Sequence, residues 1–266
     1  MYSIFYPPLS SAFIAAMSAA NCVMFAQAGL SEARGNNMGY SKFSPSSDDG
    51  KQLRLRSRDG MLLIYTPALA AAAAAFGIPG VVVTERCRLL CLALLLHFFK
   101  RDFEVLFIHQ YSGQIPVESA ITISLSYFMS TSIMIYSQYL TQFMQQEPTL
   151  DLKYAGVVVF LVGICGNLYH HYLLSKLREK GAPEEESKAY KIPKGGLFGL
   201  VICPHYLFEV IGFMGISLIS QTLFAFSVMV GTVFYLMGRS YATRKWYLSK
   251  FPNFPKQVKA LIPYVF

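Results

Sequence analysis

Seven apolar segments, each about as long as a bilayer-crossing helix, limit what this chain can fold into. They cover approximately residues 8–30, 61–83, 87–109, 117–143, 154–177, 196–218 and 220–238. The 266 residues are 54% hydrophobic and 14% charged, whereas soluble domains carry about 25% charged residues. The sequence therefore excludes a soluble domain. It predicts one all-α, polytopic membrane domain over residues 1–266, with about seven transmembrane helices.

The distribution of positive charge predicts the topology. With the N-terminus on the lumenal side, 20 of the 23 Lys and Arg residues fall in cytosolic segments, as the positive-inside rule requires. We therefore expect a lumenal N-terminus and a cytosolic C-terminus. The same distribution accounts for the net charge of +8 without a nucleic-acid partner. The five cysteines lack metal-site spacing, and we expect no metal.

Ionisable side chains inside apolar segments are costly in a bilayer and mark functional sites. In the fifth segment and just after it, Asn167, His171 and Arg178 fall on one face of a helix. In the sixth, His205 and Glu209 are four residues apart, with Glu209 near mid-membrane. A buried Glu needs a partner, and His205 or a bound ligand would supply one.

A third polar group ends the third segment, where His97, Arg101 and Glu104 share a face and Lys100 precedes Glu104 by four residues. This spacing is also typical of an interfacial belt of ion pairs. Basic and aromatic residues recur in the other cytosolic segments, and such a set around a cavity suits a ligand that carries phosphate. The sequence contains neither a GxGxxG nor a Walker motif, so a soluble-type nucleotide fold is not supported.

Four segments together resemble the steroid 5α-reductase family. These are Asn167 to Arg178, Tyr190 to Phe198, Cys203 to Glu209, and Arg239 to Tyr247 followed by the chain end. The resemblance covers nearly the whole chain, and residues 110–266 correspond to the family's C-terminal region with most of the cofactor site. It implies a membrane enzyme of the endoplasmic reticulum that uses NADPH to reduce an activated C=C bond in a lipid.

The resemblance also implies site residues. The cofactor contacts are expected at Tyr40, Lys42, Asn167, His171, Arg178, Tyr190, His205, Glu209, Arg239 and Tyr247. The chain departs from the steroid enzymes where these hold the substrate's 3-keto oxygen with a Glu and a Tyr, because Tyr65 and Phe98 occupy those positions. We expect Tyr65 or Tyr206 to donate to that oxygen, with His97 as the orienting partner, since Phe98 cannot donate.

Several alternatives stay open. Lys100, Arg101, Glu104, His109 and Tyr206 resemble the trans-2-enoyl-CoA reductase branch, so the substrate is a steroid-like enone, an enoyl-CoA or a polyprenol-like lipid. A non-catalytic relative is a further alternative, because both steroid-gripping residues are replaced. An isoprenylcysteine-type carboxyl methyltransferase fits less well, since its His-Pro turn and later Glu pair are not matched here. An apolar substrate is expected to enter laterally from the bilayer.

Overall fold

The computed structural model describes residues 4–7, 11–43, 53–177 and 190–266, and these are mostly helical. Within these ranges seven long helices follow one another: α1 (Ala12–Ala33), α2 (Ser57–Gly77), α3 (Glu85–Phe103), α4 (Val117–Thr141), α5 (Lys153–Ser175), α6 (Pro204–Ser220) and α7 (Leu223–Lys250). A single π-helical turn, Glu104–Ile108, extends α3. Two short strands, β1 (Arg54–Arg56) and β2 (Gln114–Pro116), pair antiparallel, with Leu55 opposite Ile115.

Five of these helices, α1, α2, α4, α5 and α7, are long and apolar enough to cross a membrane. The length and composition of these described helices therefore indicate a polytopic membrane protein. Helix α3 carries ionisable residues at both ends, and α6 has only 17 residues. Seven crossings and the orientation of the termini remain predictions.

Two helices differ in extent from the predicted apolar segments. The sixth helix begins at Pro204 and not near residue 196, because Gly195 and Gly196 have φ of +87° and +49° and lead into a short 3-10 turn, Gly196–Gly199. Proline is favoured in the first helical turn, where no amide donor is needed. The seventh helix continues past residue 238 to Lys250. The tight turn between α6 and α7, Gln221–Thr222, agrees with the sequence.

Glycines allow two helix pairs to pack at close range. Helix α5 packs along α6, and a Cβ at Gly163 would overlap the backbone of Gly212. Helix α1 packs along α7, and a Cβ at Gly238 would overlap the carbonyl of Gly29. Small residues at helix interfaces are the usual means of close packing in membranes.

One end of the bundle gathers the strands, the short 3-10 helix Ser41–Phe43 and the chain end. Lys259 bridges Val201 there in parallel, so the C-terminal segment packs against the start of α6. Lys42 of the short helix lies over the Tyr247 ring of α7, 5.0 Å from its centroid. We call this the basic end, because it carries Lys42, Arg54 and the basic residues that follow Arg239.

Candidate active site

A polar cavity of about 780 Å³ lies at the basic end. Its volume falls in the range of small-molecule and cofactor sites, roughly 300–1,000 Å³. Nine of the thirteen predicted site residues line it: Tyr40, Lys42, Tyr65, His171, Tyr190, His205, Tyr206, Glu209 and Tyr247. The structure therefore brings together side chains from α2, α5, α6, α7 and the segment after α1.

A second cavity of about 530 Å³ is mostly apolar, and most of its lining comes from α4 and α1, with further residues from α2, α3, α6 and α7. Met17 and Met24 of α1 and Met129 of α4 are part of this lining. The two cavities are adjacent, because both are lined by Tyr65, Glu209 and the residues Tyr40, Met61, Tyr127, Tyr235 and Leu236. We call this shared wall the junction of the two cavities, and ligands bound in them would lie on either side of it or in contact across it.

Glu209 is buried and is held by α5, not by its own helix. The Asn167 amide lies 3.4 Å from the Glu209 carboxylate and donates a 2.7 Å hydrogen bond to the His205 carbonyl. The expected His205–Glu209 side-chain pair does not form, and His205 Nδ1 is buried with no partner among the described residues. Asn167 itself does not line the cavity, and its amide oxygen accepts a hydrogen bond from Lys100.

Tyr65 is held by Arg101 and not by His97. Arg101 Nη2 donates to the Tyr65 hydroxyl, and the guanidinium lies 4.5 Å from the centre of the ring. His97 lies one turn earlier on α3, and its ring packs against Phe98 and Phe213, 4.9 and 5.1 Å between centroids. Another side chain on the same face therefore reaches the phenol, and the orienting role of His97 stays a prediction.

Glu104 is the centre of a fully buried ion network. Its carboxylate lies 3.1 Å from Lys100, 2.8 Å from Arg101 and 3.0 Å from His171 Nδ1. The predicted Lys100–Glu104 pair is therefore present, although inside the protein and not at an interface. The π-helical turn begins at Glu104, and such turns are common at functional sites.

The same network contains the one group of metal-ligand type found among the described residues. Ligand atoms of Glu104, His109 and His171 lie within 4.8 Å of one another. Both Glu104 oxygens already accept from cationic or imidazole groups. We assign no metal to these residues.

Arg239 is almost fully buried and faces Glu32, which sequence reasoning missed. Arg239 Nη1 lies 2.9 Å from both carboxylate oxygens of Glu32, and Nη2 donates to the Tyr40 carbonyl at 3.0 Å. Its guanidinium also covers the Tyr40 and Phe43 rings at 4.0 and 4.4 Å. Arg239 therefore holds the segment after α1 and does not line the cavity.

Aromatic rings surround Lys42 at the cavity mouth. Lys42 Nζ lies 5.7 Å from the Trp246 ring and 5.0 Å from the Tyr247 ring, and Tyr190 meets Trp246 edge-on at 4.9 Å. Burial, opposed by the nearby Cys203 and reinforced by Arg239, lowers the pKa of Lys42 to about 8. Arg178, expected to bind phosphate, lies outside the described residues.

Other lining residues were not predicted. Tyr127 and Tyr235 border both cavities, and Tyr40 and Tyr235 share a 3.0 Å hydrogen bond between hydroxyls. Tyr111 lines the polar cavity, and burial raises the pKa of its phenol. Isolated tyrosines in apolar segments carry no periodic signal, so only the folded chain reveals them.

The fold and these cavities define a membrane-embedded protein with a cofactor-sized polar site joined to an apolar one. A family model described as 3-oxo-5-alpha-steroid 4-dehydrogenase matches residues 114–266, which is more than half of the chain. The chain belongs to this family.

Its relatives include both steroid and enoyl-CoA enzymes. It is 38% identical over 113 residues to "Steroid 5-alpha-reductase DET2" of Gossypium hirsutum, covering 42% of each chain. It is 30% identical over 186 residues to "Very-long-chain enoyl-CoA reductase" of Dictyostelium discoideum, covering 68% of this chain and 58% of that protein. It is 28% identical over 240 residues to "3-oxo-5-alpha-steroid 4-dehydrogenase 2" of Homo sapiens, covering 86% and 88%. The chain thus spans less than two thirds of the first two relatives.

Proposed function

We propose that this protein is an NADP-dependent oxidoreductase that reduces an activated C=C bond in a lipid, with a 3-oxo-Δ4-steroid-like enone as substrate. The observation that carries this proposal is that the polar and apolar cavities are adjacent and share Tyr65 and Glu209 in their walls. A reductase of this kind must place a polar cofactor and an apolar substrate in contact while keeping each in a matching environment.

The residues of the polar cavity fit NADPH. His205 Nδ1 is buried on its wall without a partner in the described part of the chain, and a polar ligand would satisfy it. Lys42 at the mouth would face phosphate, and Glu209 would accept from an amide deeper in the cavity. Bound there, NADPH supplies the hydride for the reduction.

Tyr65 is the better placed of the two predicted donors. It borders both cavities, whereas Tyr206 borders only the polar one. Reduction of an enone develops negative charge on the carbonyl oxygen, and a phenol proton held in a water-poor site stabilises that charge. The apolar cavity between α1 and α4 would admit the substrate from the bilayer.

Reduction of a trans-2-enoyl-CoA remains the second candidate. The match to the Dictyostelium enzyme spans more of this chain than the match to the cotton enzyme. Tyr206 then becomes the donor nearer to a thioester that enters from the basic end. The same carbonyl-conjugated C=C bond is reduced in both cases.

The protein's location is also part of the proposal. The positive charge gathered at the basic end supports a cytosolic position for that end, with a lumenal N-terminus. Membership of the family supports the endoplasmic reticulum as the membrane.

NADPH oxidation by the full chain in lipid nanodiscs tests the proposal. A 3-oxo-Δ4 steroid and a long trans-2-enoyl-CoA are compared in parallel, with Tyr65→Phe as the matched variant. We expect turnover of the steroid and a loss of about 100-fold or more in kcat for Tyr65→Phe. Turnover of the enoyl-CoA alone would replace the first proposal by the second. Turnover of neither, with NADPH bound, would contradict both.

A further inference from the structure

The hydrogen bond between Arg101 and Tyr65 fixes the direction of the phenol proton. A guanidinium only donates hydrogen bonds, so the Tyr65 oxygen must accept from Arg101 Nη2. The single phenol proton then points elsewhere. No second partner for this hydroxyl is recorded among the described residues, and Tyr65 lies at the junction of the two cavities. The proton is therefore available to a ligand at that junction.

Arg101 is held in place beside Tyr65 by two buried side chains, Glu104 and His171. Its Nη1 donates to Glu104 at 2.8 Å and lies 3.1 Å from His171 Nδ1, and Glu104 is fully buried. The carboxylate thus faces one end of the guanidinium, while the other end faces the phenol. A group locked by neighbours in this way reorganises little when charge develops beside it.

Arg101 is the charged group beside Tyr65 in a chain that lacks the carboxyl and phenol of the steroid enzymes. Phe98 occupies the phenol position, and its ring meets Tyr127, which in turn packs against Tyr65. Neither Phe98 nor the apolar neighbours offer a charge. The charged partner of Tyr65 is the cation Arg101, whereas the phenol of the steroid enzymes is paired with a carboxyl group.

We propose that Arg101 is a positioning residue for Tyr65, which aims the phenol proton at a substrate carbonyl and stabilises negative charge that develops there. The inference rests on the proposed reduction. Bound NADPH would supply the hydride and leave as NADP⁺. When a hydride adds to the β-carbon, the C=C pair shifts to form a Cα=C bond, the C=O π pair moves onto the oxygen, and the Tyr65 O–H hydrogen-bonds to that oxygen. Collapse of this enolate takes a proton from water onto the α-carbon, and the hydroxide left is neutralised by a proton from bulk solvent. The pair therefore requires a carbonyl conjugated to the C=C bond, which an allylic alcohol such as a polyprenol lacks.

A double-mutant cycle tests this inference. Tyr65→Phe, Arg101→Gln, the double variant and Arg101→Lys are compared in nanodiscs for kcat on the 3-oxo-Δ4 steroid at saturating NADPH. We expect Arg101→Gln to lower kcat by about 30-fold or more and Arg101→Lys to restore part of that loss. In the Tyr65→Phe background we expect Arg101→Gln to change kcat by less than about threefold. Equal losses in both backgrounds would overturn the inference.

Binding of equilenin, a fluorescent steroid phenol whose anion mimics an enolate, gives a second readout that needs no turnover. We expect Arg101→Gln to weaken its binding about tenfold or more when Tyr65 is present and hardly at all when Phe replaces it. An unchanged affinity in Arg101→Gln would overturn the inference. Because this measurement succeeds or fails without NADPH oxidation, it separates the Arg101 inference from the proposed function. Arg101→Lys serves both assays if Arg101→Gln does not fold.

Discussion

The Ser124 hydroxyl of α4 donates a 2.7 Å hydrogen bond to the Leu63 carbonyl of α2. Pro67 lies four residues after Leu63 inside the same helix and has no amide proton to offer that carbonyl. Ser124 therefore satisfies the acceptor that Pro67 leaves open, two residues from Tyr65. The position of the candidate donor depends on this contact between helices.

Ser124→Ala should reduce the free energy of unfolding by about 1–2 kcal/mol, because it leaves the Leu63 carbonyl without a donor inside an apolar helix. Thermal unfolding in nanodiscs measures the effect. Ser132→Ala on the same helix is the control, since Ser132 makes no recorded hydrogen bond in the described structure. Equal stability of the two variants would show that the Leu63 carbonyl finds another partner.

Removal of the Glu32 carboxylate should weaken NADPH binding, although NADPH is itself negatively charged. Glu32→Ala leaves Arg239 charged and buried, which should cost about 3–5 kcal/mol of stability. It should also weaken NADPH binding, because Arg239 then no longer holds Tyr40. If Arg239 instead contacts a cofactor phosphate directly, removing the neighbouring anion would strengthen binding. Glu118→Ala, an exposed acidic position on α4, is the control.

Lys42 predicts how cofactor binding changes with pH. Its pKa of about 8 in the folded protein means that its charge is present below pH 8 and lost as the pH rises through it. The NADPH Kd should therefore increase about tenfold from pH 7 to 9, since one charge-assisted contact is worth about 1.5 kcal/mol. Lys42→Arg should hold its Kd constant over this range, because arginine stays charged. A wild-type Kd independent of pH would exclude Lys42 from phosphate binding.

The same shift has a defined effect on stability. An unfolded Lys keeps its proton up to about pH 10.4, so the unfolded chain binds more protons than the folded one between pH 8 and that value. The contribution of Lys42 to the free energy of unfolding therefore increases with pH in this window. Lys42→Arg removes the increase.

Gly163 and Gly212 face each other but should respond oppositely to alanine. A Cβ at Gly163 meets the backbone of α6, whereas a Cβ at Gly212 meets nothing within 4 Å. Gly163→Ala should cost about 1–3 kcal/mol or more, and Gly212→Ala should be neutral or slightly stabilising. The unfolding temperatures of the two variants, compared with that of the wild type, test this difference. Equal losses would mean that the α5–α6 spacing differs from the one described.

The sequence predicted the parts of this structure that depend on local pattern. Apolar segments of helical length located all seven long helices of the described chain, and the spacing of polar residues selected His171, His205 and Glu209, which line one cavity. Pairing between distant segments could not be predicted. Glu32 and Arg239 are 207 residues apart, and nothing in the spacing of either residue indicates the other.

The sequence also could not predict which of several residues on one helix face contacts a given partner. His97 and Arg101 share a face of α3, and only the position of α2 decides that Arg101 reaches Tyr65. Likewise the Glu209 carboxylate is contacted by Asn167 of α5. His205, which is on the same helix as Glu209, does not supply this contact. Both outcomes follow from how close the helices approach, which a one-dimensional pattern does not contain.

The central claim, that the polar cavity binds NADPH, is tested most directly by fluorescence of the single tryptophan. Trp246 lies beside Lys42, which lines the cavity, so bound NADPH should quench its fluorescence by energy transfer to the dihydronicotinamide. We predict saturable quenching by NADPH in nanodiscs, weaker binding of NADH, and loss of binding in Glu209→Ala but not in Glu118→Ala. Absence of saturable quenching, or wild-type binding by Glu209→Ala, would contradict the account.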